Sequence, residues 1–159
     1  LHDALPISPY PPHCEKGTGE EELVPELKWL YDNPLVTLVP KDCINGFIGS
    51  IEVNTQRNIL LNWINEYKLE VLVVVGICTD ICVMDFVVTI LSVRNHGLVP
   101  TLKDVAIYEK GCATFNLTAE MAAEQGLPKT AIHPQKVSHH IGLYKMAERG
   151  AFIASTIEL

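Results

Sequence analysis

The apolar positions cluster into short runs separated by turn residues. The most continuous run is Val71-Leu72-Val73-Val74-Val75. A β-branched run of this kind predicts a strand buried on both faces, as in a parallel sheet. Gly76 ends it, and Thr79 and Asp80 offer side-chain oxygens able to cap a helix. From Ile81 the apolar residues continue for about four helical turns, until Asn95-His96-Gly97 supplies a stop. Upstream, Leu23, Leu27 and Leu30 fall on one face of a helix predicted over residues 20–31, with Pro25 inside its opening turn. Residues 35–39 read as a buried strand, stopped by Pro40. Leu60, Trp63, Ile64 and Tyr67 form the i, i+3, i+4, i+7 stripe of a helix over about residues 55–67, and that spacing makes Trp63 a core residue. Downstream come a strand at 105–108, helices at 118–125 and 135–147, and a strand at 151–156. The alternation predicts an α/β domain, three-layered α/β/α, with a mainly parallel sheet.

This pattern places Cys82 in the first turn of a helix, just beyond the carboxyl end of a strand. A helix start presents free N–H groups and a partial positive charge. A thiolate is favoured there, and thiolate is the reactive form of cysteine. Open α/β sheets also set their ligand crevices outside the carboxyl ends of strands. The competing reading is a small buried hydrophobe, the usual lot of a free cysteine. Cys78 shares the loop, but C-x-x-x-C is not the redox C-x-x-C spacing, and no nearby Cys/His pair completes a zinc knuckle.

Composition narrows the classes. The chain has 159 residues, 48% hydrophobic and 19% charged, with a net charge of −7 from 19 acids and 12 bases. It holds no Lys/Arg cluster, so there is no electrostatic case for nucleic acid. Five cysteines without framework spacing favour a reducing compartment. Asp80 and Asp85 interrupt the longest apolar stretch, which argues against a membrane span. Residues 1–8 (LHDALPIS) lack periodicity and an initiator methionine. They read as a non-native leader, leaving residues 9–159 as one domain.

Two motifs carry a family resemblance. Gly76-Ile77-Cys78-Thr79-Asp80-Ile81-Cys82-Val83 resembles the G-x-x-T-D-x-C-V nucleophile loop of the isochorismatase-like cysteine hydrolases. Tyr10-Pro11-Pro12-His13-Cys14 resembles the aromatic-Pro-Pro-His-Cys stretch of the plant-type nicotinamidases within that group. The resemblance implies Cys82 as nucleophile and a cis Ile77–Cys78 bond that aims the Cys78 and Cys82 amides at one oxyanion. It places Lys41 beside the nucleophile, ahead of the turn Asn45-Gly46-Phe47. It makes His13 a ligand to a divalent metal (zinc, iron or manganese) and Tyr10 a stacking partner for a pyridine ring. The implied reaction is hydrolysis of nicotinamide to nicotinate and ammonia in NAD salvage, by a cytoplasmic or nuclear enzyme able to form a homo-oligomer. The family's first strand, its catalytic Asp and its other metal ligands have no counterpart in this chain. Asp32, Asp42, Asp80, Asp85 and Asp104 do not match that Asp's motif. The chain therefore reads as the C-terminal two-thirds of a hydrolase domain, with a weak or empty metal site and little turnover of its own. Alternatives are a related cysteine hydrolase of another small amide or ureide, and a non-catalytic relative. Cys112 is expected as a pocket wall, and Asp85, Arg94 and His96 as solvent-face or helix-end groups. The adjacent His139 and His140 point about 100° apart on a helix and do not share a metal.

Overall fold

The β-branched run at 71–75 forms a strand and extends to Ile77 (β1, Val71–Ile77). The computed structural model describes residues 14–158. In it β1 pairs in parallel with β2 (Asp104–Ala113), and β2 with β3 (Phe152–Ala154), giving the order β1-β2-β3. The register runs from Val71↔Asp104 to Val74↔Ile107 and resumes at Gly76↔Cys112 and Ile77↔Ala113. Residues Tyr108–Gly111 of β2 thus bulge out between the two paired stretches. A Cβ on Gly111 would lie 2.6 Å from Val75 Cγ1, so the bulge closes onto β1 only with glycine there. The bulge carries Cys112, Ala113 and Thr114 forward to the carboxyl end of β1. A short strand followed by a loop was expected at 105–114; the bulged pairing instead keeps the backbone in the sheet as far as Ala113.

Helices α1 (Gly46–Gly49), α2 (Ile59–Glu66), α3 (Met84–Asn95), α4 (Ala119–Glu124) and α5 (Gln135–Glu148) complete the fold. Asn45, Asn58 and Thr118 each cap a helix start by accepting backbone N–H groups. The core joins Ile64 of α2, Val87, Ile90 and Leu91 of α3, Leu143 and Met146 of α5, and Val105 and Ile107 of β2. Leu72 and Val74 of β1 and Trp63 of α2 pack against it. The α/β class and the parallel sheet are as expected.

Three local expectations are corrected. β1 is covered on one side only: Leu72, Val74 and Gly76 are half-buried, whereas Val71, Val73, Val75 and Ile77 alternate outward and are exposed. The run predicts the strand, but burial of both faces needs a second covering layer. Leu35 lies in a turn and is 88% exposed, and residues 36–39 form no strand with any of the described residues. The helix predicted over 20–31 is a 3₁₀ helix, Pro25–Asp32, with Pro at its start, where the missing N–H costs nothing. Among the described residues no helix is long and apolar enough to cross a membrane.

Candidate active site

At the carboxyl end of β1, Gly76 adopts φ +146°, a conformation L side chains rarely take, and the Ile77–Cys78 peptide bond is cis. The chain then makes a π-helical turn, Thr79–Val83, before α3 begins. The N–H groups of Ile81 and Val83 both reach the Cys78 carbonyl at 3.1 Å. Cys82 therefore sits in this wider turn rather than in the first turn of an α-helix. Such turns are frequent at functional sites.

The turn is held from outside. Thr79 and Asp80 were expected to cap the helix, but their side chains are engaged elsewhere. The fully buried Thr79 hydroxyl shares a 2.8 Å hydrogen bond with His139 Nδ1 of α5. The Asp80 carboxylate accepts from the Thr114 hydroxyl at 2.6 Å and from His133 Nε2 at 2.7 Å. The His133 ring lies nearly parallel to Phe115, centroids 3.9 Å apart. His133 and Leu117 exchange backbone hydrogen bonds, which fixes the ring's position. Burial alone would raise the Asp80 carboxyl. The hydrogen bonds from Thr114 and His133 outweigh it and hold the carboxyl below its ordinary value. A lowered folded pKa means the unfolded chain binds protons more readily. The stabilisation is then complete above the ordinary value of about 3.9 and is lost as pH falls through the folded value. We expect Asp80→Asn to flatten the acid limb of an unfolding curve below about pH 4, read by circular dichroism against pH; an unchanged limb would count against this pairing.

Lys41 approaches from the other side. Its Nζ donates to the Cys43 carbonyl at 2.8 Å and stands 3.9 Å from Cys82 Sγ. The segment after Lys41 is pinned to α3: Asn45 Nδ2 donates to Thr89 Oγ1 at 2.8 Å, and Phe86 packs over Gly46. Gly49 leaves room for Lys41, since a Cβ there would fall 2.5 Å from Lys41 Cβ and 3.3 Å from its Cα. These atoms belong to or adjoin the backbone and cannot swing aside. Gly49→Ala is therefore expected to push Lys41 off Cys82, costing about 1–3 kcal/mol of stability. Cys82 alkylation in that variant should slow to the rate of Lys41→Met; a wild-type rate would show that Gly49 does not place the lysine.

Cys112 is buried, and burial pushes its thiol up, with Gly76 opposing only in part. It lines a cavity of about 240 Å³ with Ala113, Thr114, Gln135, Lys136 and His139; Cys82 and Lys41 lie outside that lining. Arg94 donates to the Lys103 carbonyl at the end of α3. His13 and Tyr10 lie outside the described residues. Among the described residues no group of three or more His, Cys, Asp or Glu side chains could hold a metal ion, so no metal centre is assembled from them. Sequence reading missed Asp80 as a loop anchor, along with Thr114, His133 and Gly142 of α5, where an added Cβ would lie 2.8 Å from Asp80 Cα. The T-D pair inside the nucleophile motif was the one visible signal.

Residues 3–155 match the isochorismatase domain family, and the chain belongs to that family. It is 51% identical over 156 residues to Nicotinamidase 1 of Arabidopsis thaliana, covering 98% of this chain and 63% of that protein. It superposes on the crystal structure of nicotinamidase PncA from Bacillus subtilis with a TM-score of 0.61 at 24% identity, covering 92% of this chain and 64% of that one. The chain thus spans less than two thirds of the length of these relatives.

Proposed function

We propose that the protein is a nicotinamidase, a cysteine-dependent amidohydrolase acting on nicotinamide, and that residues 9–159 supply the nucleophile side of its site. The observation that carries this reading is the meeting of Lys41 Nζ and Cys82 Sγ at 3.9 Å, just past the carboxyl end of β1. The 51% identity to a nicotinamidase supports the choice of substrate. The Cys82 thiolate attacks the carboxamide carbon, forming a C–S bond. The Cys78 and Cys82 amides face the oxygen that becomes negative, and the Lys41 ammonium offsets charge beside the sulfur. The C–N bond then breaks, and ammonia leaves with a proton from a general acid. Water cleaves the thioester, giving nicotinate and restoring the thiol.

In this reading Tyr10 stacks on the pyridine ring, and His13 contributes one ligand to a divalent zinc, iron or manganese ion. The location is cytoplasmic or nuclear, and a homo-oligomer is compatible with the reading. No residue of this chain is assigned the general acid–base role, whose loss typically costs about 10²–10⁴-fold. The chain by itself is accordingly expected to turn over slowly or not at all. The test is ammonia release by the full-length protein from nicotinamide and from a ureide. Release from nicotinamide that disappears with Cys82 replaced supports the assignment. Preference for the ureide, or turnover independent of Cys82, overturns it.

A further inference from the structure

The turn that carries Cys82 is anchored by a carboxylate whose charge would oppose the nucleophile. Asp80 precedes Cys82 by two residues, and both oxygens of its carboxylate are engaged, one by Thr114 and one by His133. A bare carboxylate on the same turn would disfavour ionisation of the sulfur, since like charges raise each other's cost. His133 resolves the conflict. Its Nε2 lies 2.7 Å from Asp80 Oδ2, and its Nδ1 lies 3.0 Å from the Phe115 carbonyl oxygen. Both partners are acceptors. A neutral imidazole has one N–H and can satisfy one of them; the imidazolium has two and satisfies both.

We propose that His133 is held as the imidazolium and, paired with Asp80, is a positioning residue for the nucleophile: it fixes the turn and cancels the carboxylate's field at the Cys82 sulfur. This rests on reading Cys82 as the nucleophile. The pair is 15% exposed on each side, so solvent screens it little. The elements packed around the turn also carry Lys136, His139, His140, Tyr144, Lys145 and Glu148 (α5), Asp85 and Arg94 (α3), and Asp104, Tyr108, Glu109, Lys110 and Cys112 (β2), with Lys41 on the segment before α1. His139 is committed to Thr79 and Lys41 to the Cys43 carbonyl. The His133 ring is the group that meets the Asp80 carboxylate, at 2.7 Å.

The substitutions separate charge from position. In Asp80→Asn the amide can donate to a neutral His133 Nε2 while Nδ1–H still donates to Phe115 and Thr114 still donates to the remaining oxygen. The geometry survives without either charge. In His133→Gln the carboxylate keeps a donor and loses its counter-charge. The experiment follows alkylation of Cys82 by iodoacetamide against pH, by mass spectrometry, in the chain and in both single variants and the double variant. His133→Gln is expected to move the midpoint of the curve up by about half to one pH unit. Asp80→Asn/His133→Gln should return it close to the starting value. A merely structural role predicts that the double variant is at least as perturbed as either single one. A His133→Gln curve that overlays the parent, or a double variant without reversal, overturns the proposal. Nitrogen-15 NMR of the His133 ring in the unaltered chain needs no variant: protons on both nitrogens at pH 7 support the pair, and a single N–H overturns it. If Cys82 in the unaltered chain alkylates no faster than the exposed Cys14, the nucleophile reading itself fails, while the ring spectrum still decides the charge on His133.

Discussion

Cys82→Ser is expected to lower nicotinamide hydrolysis by the full-length protein by on the order of 10⁴-fold or more, with Lys41→Met costing about 10²–10³-fold. A serine hydroxyl keeps the shape but is a far weaker nucleophile without a dedicated base, and among the described residues the side chain set against Cys82 Sγ is the Lys41 ammonium at 3.9 Å, a donor and not a base. Lys41 acts on the charged form of the sulfur, because an ammonium donor binds a thiolate more strongly than a thiol. The loss in Lys41→Met should therefore fall on kcat more than on KM. Lys41→Arg should rescue in part at most: it keeps the charge, but a planar fork cannot serve both the Cys43 carbonyl and the sulfur from one nitrogen. Thiol labelling of the chain provides a check independent of turnover. Cys82 should react ahead of Cys112, which is buried and whose thiol burial pushes up. If Cys112 reacts first, or Lys41→Met leaves Cys82 labelling unchanged, the pair does not do the work assigned to it.

How far the sequence reveals this arrangement depends on the range of the interaction. The run at 71–75 announces a strand because β-branched residues suit a pleated surface whatever lies elsewhere. The position of Cys82 after that strand is local too, and so is legible. The helix start at Thr118 is local and falls where expected, since a cap is decided within three residues; the start at Asn58 lies a few residues past the expected 55. Other features depend on contacts that a single sequence does not display. His133 meets Asp80 across 53 positions, and His139 meets Thr79 across 60. Asp80 and Thr79 have the chemistry of caps, and the partners that draw them away lie on elements far along the chain. Residues 35–39 have strand composition, yet pairing is settled by neighbours, and among the described residues they find none. Periodicity shows which residues of β1 can be buried, whereas the covering layer decides which are.

Gly142→Ala should destabilise the protein although it improves a helix. In the middle of α5, exchanging glycine for alanine normally gains about 0.5–1 kcal/mol through backbone entropy. Here the new Cβ would lie 2.8 Å from Asp80 Cα, 2.9 Å from Asp80 N and 3.0 Å from Thr79 C. All three are backbone atoms of the turn that carries Cys82, and that turn is tied down by Thr114, His133 and His139. Neither side can yield by a rotamer change, so α5 and the turn must part. Overpacking of this kind costs about 1–3 kcal/mol. The penalty exceeds the propensity gain, and the net should be a fall in Tm of about 2–4 °C per kcal/mol. The same separation stretches the Thr79–His139 hydrogen bond and moves Cys82 away from Lys41, so Cys82 alkylation should slow alongside the loss of stability. A thermal melt showing Gly142→Ala equal to or above the parent, with labelling unchanged, would mean that α5 does not press on the turn carrying Cys82 as the geometry requires.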